Sequence, residues 1–139
     1  MLPAEIFLSH SSQDEPMPRK LAALLTNHSL PVFFGPENIA GAQQWQNEIL
    51  NALQRCDWFV VILSPNAINS MWVKREVAYA LQDPRYQDHI VPLQYRECDL
   101  GSLKWLSLFQ TLNFTGDFRS GCRELLKVWG IGLREDLLL

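Results

Sequence analysis

No run of lysine and arginine occurs anywhere in the 139 residues, and the net charge is −3. A nucleic-acid partner is therefore not expected, because binding to a phosphate backbone needs a basic patch. No apolar stretch approaches the roughly 18 residues that a membrane helix requires, so no membrane partner is expected either. The three cysteines, Cys56, Cys98 and Cys122, are odd in number and lack CxxC spacing. That argues against a disulfide framework and a structural zinc site, and it fits a reducing compartment. His10, His28 and His89 stand singly, with no metal-ligand spacing among them. The segment MLPAEIF has no basic region and runs straight into a strand, so no secretory leader is expected and the expected location is the cytoplasm. The Gly35–Gly41 loop has neither dinucleotide-fingerprint nor Walker spacing. Ser64 is not in a G-x-S-x-G elbow, so a hydrolase triad has no support. Receiver-type phosphorylation would want acids after the first strand and an Asp ending the third, where this chain has Ser9-His10 and Ser64.

What the chain does have is apolar content enough for a packed domain: 47% hydrophobic against 19% charged residues reads as globular. The stretch Asp57–Leu81 is the most informative. Trp58-Phe59-Val60-Val61-Ile62-Leu63 is an uninterrupted β-branched and aromatic run, expected of a strand buried on both faces. Pro65 stops it, and Ser70 is placed to cap the helix that follows. On that helix Val73, Val77, Ala80 and Leu81 share one face, while Trp72, Glu76 and Tyr79 follow i, i+4, i+7 spacing beside it. Glu76 thus falls at the margin of the apolar stripe, one turn from a Trp, and half desolvated. It also falls just past the end of a central strand, where open α/β sheets bind ligands. The plain alternative is a boundary Glu with its head in water, paired with Lys74 or Arg75.

Other strands are expected at Glu5–His10, Pro31–Phe34, His89–Tyr95 and Phe109–Phe114, with Pro92 suggesting proximity to a sheet edge. Helices are expected after Asp14, which is a plausible N-cap, over Gln44–Gln54, and over Asp117–Trp129 with Gly130 as its stop. On the first, Leu21, Leu24, Leu25 and His28 mark the buried side; on the second, Trp45, Ile49, Ala52 and Leu53 point inward. Strands alternating with helices predict an α/β fold: a doubly wound, five-stranded parallel sheet in flavodoxin-like order with helices on both faces. Ser9-His10, the Gly35–Gly41 loop, Trp45, Trp72 and Glu76 then converge at strand C-terminal ends. A carboxylate among aromatics suits a flat aromatic ligand with ribose hydroxyls.

Three motifs in order carry a resemblance. They are Glu5-Ile6-Phe7-Leu8-Ser9-His10 with Ser11-Ser12-Gln13-Asp14; Phe33-Phe34 with the Gly35–Gly41 loop and Trp45; and Ser64-Pro65 followed by Ser70-Met71-Trp72-Val73-Lys74-Arg75-Glu76. Together they resemble a Toll/interleukin-receptor (TIR) domain of the bacterial, NAD+-cleaving kind. Residues 1–132 are expected to form that domain, and 133–139 a packed tail or the start of a linker to a sensor domain.

The resemblance implies that NAD+ is the substrate, with no cofactor and no metal, and that Glu76 is catalytic. It implies nicotinamide release, with ADP-ribose or a cyclic isomer as the other product. Ser9, His10, Phe34, Gly35, Trp45 and Trp72 are implied substrate contacts, although Trp72 and Trp45 suit a core position as well. Glu37, Asn38, Ile39 and Gly41 lie on the loop through which such domains associate head to tail, and activity is implied to switch on with clustering, in bacterial anti-phage defence. The departures are Glu5, where many relatives have Asp; Val73, where many have Cys; and Gly35, where an acid often follows the second strand. A non-catalytic TIR adaptor is the main alternative. A nucleoside deoxyribosyltransferase would need further nucleoside-binding acids that the sequence does not offer.

Overall fold

The computed structural model describes residues 1–34 and 42–138, the side chains of 42–45 excepted. Five parallel strands, β1 (Ile6–Ser9), β2 (Val32–Phe34), β3 (Trp58–Leu63), β4 (Ile90–Gln94) and β5 (Leu112–Asn113), form one sheet in the order β2-β1-β3-β4-β5. The helices are α1 (Met17–Asn27), α2 (Ala42–Arg55), α3 (Pro65–Ile68), α4 (Met71–Gln82) and α5 (Phe118–Lys127). This is the flavodoxin-like doubly wound arrangement that the alternation of strands and helices predicts.

The period of two along each strand divides the core into two layers. Ile6, Leu8, Val60, Ile62, Val91 and Leu93 pack with α1 and α5 on one face. Phe7, Phe59, Val61, Leu63 and Ile90 pack with α2 and α4 on the other. Both faces of β1 and β3 are therefore dry, which is why their sequences run apolar without alternation. The chain steps from β1 to β2, then crosses back past β1 to β3. That reversal opens a crevice beyond the C-terminal ends of β1 and β3, where sheets of this kind hold ligands.

Several local expectations need correction. Asp14 does not cap α1; it ends a short 3-10 turn, Ser12–Asp14, which Ser11 caps, and α1 begins after Pro16. Leu81 falls outside the buried face of α4 and is 36% exposed, whereas Val73, Val77 and Ala80 are buried. β5 is only two residues long, and a 3-10 segment, Gly101–Leu108, occupies the stretch before it. β4 lies near the sheet edge, as Pro92 suggests: it is next to the edge strand β5, which meets it only at Leu93 and Gln94, beyond that proline. The short α3 has no counterpart in the periodicity reading, being too brief to show one.

Ser70 caps α4 as expected, its hydroxyl accepting from Val73 N–H at 3.2 Å. Gly130 takes φ +71 just after α5, the left-handed conformation that ends helices. His28 and His89 each bond a backbone carbonyl, of Leu24 and Asp57 respectively. Beyond α5, Leu133 and Leu138 pack against the core, and Arg134 N–H donates to His28 Nε2 at 3.0 Å. No helix among the described residues is long and apolar enough to cross a membrane.

The closest packing on the α5 side is at Gly121, where an added methyl would lie 2.8 Å from ring carbons of buried Phe114. Gly121→Ala is expected to lower the unfolding free energy by roughly 1–3 kcal/mol through overpacking, outweighing the better helix propensity of Ala. Urea denaturation measures it, and an unchanged or raised midpoint would contradict the packing described.

Candidate functional site

The turn between β3 and α4 sets where α4 begins. Ser64, the residue after β3, caps α3 by accepting from Ala67 N–H at 3.0 Å. The Ser64 hydroxyl donates in turn to Asp14 Oδ2 at 2.5 Å, and Asn66 Nδ2 donates to Asp14 Oδ1 at 2.9 Å. Asp14 is 5% exposed. Its carboxylate, arriving from the loop after β1, thus staples the turn after β3, and through α3 fixes where α4 begins. A buried acid that forms hydrogen bonds with both oxygens is stable in this position, where an unpaired one would not be.

Glu76 projects from α4 back towards β1. It is 8% exposed, not half desolvated as its place on the helix suggests, because it turns in against the end of β1. Ser9, itself buried at the last position of β1, donates its hydroxyl to Glu76 Oε1 at 2.6 Å. Burial pushes the Glu76 carboxyl up to about 7, with the Ser9 hydrogen bond acting in the opposite direction. No lysine or arginine of the described residues makes an ion pair with Glu76. A perturbed acid in a cleft marks a candidate functional site.

Glu76 lines a cleft of about 240 Å3 together with His10, Ser11, Ser12, Ser70, Trp72, Phe33, Ile49, Phe7 and Leu8. His10 and Trp72 thus share its walls with Glu76, while Ser9 stands behind the carboxylate. Phe34 is not in the wall: it stacks on the His10 ring at 4.5 Å, and the Arg19 guanidinium also lies over the Phe34 ring. Phe33 takes the wall position instead, since it pairs with Phe7 and the two share the α2–α4 face of the sheet. Period-two alternation along β2 was the signal that separates Phe33 from Phe34. Gly35, Glu37, Asn38, Ile39 and Gly41 lie outside the described residues, as does the side chain of Trp45.

The chain is a doubly wound parallel α/β sheet with a buried acid, Glu76, lining a cleft at its switch point. The family model for the TIR domain matches residues 6–126, and the chain belongs to that family. No curated protein matches it. Among solved structures it is similar to the TIR domain of the Toll-related receptor TRR-2 from Hydra magnipapillata. That likeness has 16% identity and a TM-score of 0.72 over 88% of this chain and 95% of that one. It is also similar to the TIR domains of the activated Roq1 resistosome, which directly recognises the pathogen effector XopQ. There the identity is 14% and the TM-score 0.72, over 90% of this chain and 98% of that one. At such identities the likeness is one of fold.

The raised carboxyl has a thermodynamic consequence. Its folded value of about 7 lies above the ordinary 4.5. The stability it contributes is therefore present below pH 4.5 and lost as pH rises through 7. A neutral Glu76→Gln loses nothing over that range. Relative to wild type, the variant is expected to gain roughly 3 kcal/mol in unfolding free energy between pH 4.5 and pH 8. Denaturant unfolding at a series of pH values measures it; parallel curves for the two proteins would mean that Glu76 is ordinary and solvated.

Proposed function

We propose that this TIR domain cleaves NAD+ at the bond between nicotinamide and ribose, with Glu76 as the catalytic group. The supporting observation is one buried carboxylate in the cleft wall, held by Ser9 alone among the described residues and with no cation of the protein beside it. NAD+ carries the missing cation in its nicotinamide ring. As the ring leaves, it takes both electrons of the C–N bond and departs neutral, so no general acid is needed. Positive charge passes to the ribose C1′ and ring oxygen. An ionised Glu76 stabilises that charge more in a dry cleft than it could in water, by the logic that serves glycosidases. Water adds at C1′ and releases a proton, giving ADP-ribose. Attack by a nucleophile of the same molecule gives a cyclic isomer instead. Trp72 offers a flat face on which a base can stack.

Activity is proposed to require association of TIR domains head to tail, through the loop containing Glu37, Asn38, Ile39 and Gly41. The cleft of about 240 Å3 is smaller than the roughly 300–1,000 Å3 usual for a ligand pocket, which supports a site finished by a neighbouring copy. The Roq1 TIR domains, which this chain resembles in fold, belong to an activated resistosome, in keeping with assembly-dependent use of the fold. A sensor domain that clusters the TIR domain, in cytoplasmic anti-phage defence, completes the proposal.

The test is nicotinamide release from NAD+ by concentrated or crowded protein. Wild type is expected to release it, and Glu76→Ala and Glu76→Gln to lose at least about a hundredfold in rate, the scale of removing one electrostatic group. No release by wild type under clustering leaves a non-catalytic TIR–TIR interaction module; equal release by the variants removes Glu76 from the reaction.

The pH dependence is a second check. Only the ionised acid stabilises the cation, so kcat/KM is expected to rise with pH through about 7. The Ser9 hydrogen bond lowers the Glu76 value, so Ser9→Ala should move that rise to higher pH. A profile flat between pH 5 and 8, or one that Ser9→Ala leaves in place, would speak against the role given to this pair.

A further inference from the structure

A substrate whose reacting end fills the cleft leaves its next group at the mouth, and for a nucleotide that group is a phosphate. Its recognition calls for a cation near the rim that is not already neutralised. Arg19 lies over Phe34 and Arg75 over Trp72 near the cleft; Arg55, over Phe33, reaches to Glu5 before β1, at the other end of the sheet, and Arg96, over Tyr95, lines a separate pocket with Asp14 and Glu97. Arg19 is paired with Glu15 at 3.3 Å and Arg55 with Glu5 at 2.8 Å. Lys74, the neighbouring cation on α4, belongs to a separate groove formed with Leu103, Trp105 and Phe109. Arg75 differs from all of these. Its guanidinium carbon lies 5.5 Å from the centre of the Trp72 ring, and among the described residues it makes no ion pair.

We propose that Arg75 is the phosphate-reading residue of the Glu76 cleft, so that the site takes nicotinamide nucleotides and discriminates against nicotinamide riboside. This rests on the reading of the cleft given above and adds the substrate class to it. Trp72 lines the cleft, so the guanidinium over its ring stands beside the cleft wall, and Glu76, the next residue, holds the opposite charge in that wall. A zwitterionic ligand with a pyridinium ring at one end and a 5′-phosphate at the other meets both in one orientation. A guanidinium offers paired N–H donors matched to phosphate oxygens. The same ligand lacking its phosphate would leave Arg75 as it is in the free protein.

The experiment compares nicotinamide mononucleotide with nicotinamide riboside in the full chain carrying Glu76→Gln, which prevents turnover during the measurement. Binding is followed by NMR titration. The mononucleotide is expected to bind at least about tenfold more tightly, the scale of one charge-assisted contact. Adding Arg75→Ala should abolish that preference with the riboside affinity unchanged, and Arg75→Lys should restore part of it. Equal binding of the two ligands, or a preference that survives Arg75→Ala, overturns the proposal. ADP-ribose, titrated into wild type and Arg75→Ala, separates this result from the fate of the cleavage reading. NAD+ cleavage without an Arg75-dependent phosphate preference defeats only the role of Arg75. Arg75-dependent ADP-ribose binding without any nicotinamide release supports the phosphate site and defeats the cleavage reading.

Discussion

The hydrogen bond from Ser9 to Glu76 joins the last residue of β1 to the second turn of α4 across a space from which water is nearly excluded. Two effects oppose each other there. Removing a carboxylate from water favours its neutral form, and a hydroxyl donor favours the charged one. Desolvation is the larger, so the carboxyl sits near neutrality and can change charge under conditions where ordinary glutamates cannot. A domain concerned only with its own stability gains nothing from such a group, since an amide or an apolar side chain would serve better. Acids perturbed in this way, in a cleft, cluster at functional sites.

That geometry depends on a second buried acid. Asp14 links the loop after β1 to the turn after β3 through Ser64 and Asn66, and the turn positions α3 and then α4. The two carboxylates divide the work by their partners. Asp14 has donors on both oxygens and belongs to the frame; Glu76 has one donor among the described residues and faces the cleft. The reversal of strand order between β1 and β3 brings the two loops close enough for either contact to exist.

Much of the fold was legible because it rests on local periodicity. Trp58–Leu63 reads as a doubly buried strand, and it is one; Ser70 and Gly130 bound their helices as their chemistry suggests. The misreadings share a cause. Asp14 has the right residue type and place for a helix cap, but a tertiary partner, Ser64, outcompetes the local one. Leu81 satisfies the 3.6-residue period yet sits past the sheet's reach. The motif Phe33-Phe34 does not say which ring faces the cleft; the pleat puts Phe33 in its wall and Phe34 against His10.

The sequence by itself determined the element types, the two-sided burial of the sheet, the parallel doubly wound class and the candidacy of Glu76 beside Trp72. These follow from patterns within about a dozen residues, which side-chain periodicity and capping express directly. Only the tertiary structure decided that Glu76 is deeply buried, that Ser9 is its donor from 67 positions away, and that Asp14 serves the frame. Those outcomes depend on which loops the strand order brings together. Burial and charge state are properties of that meeting and not of any segment within it.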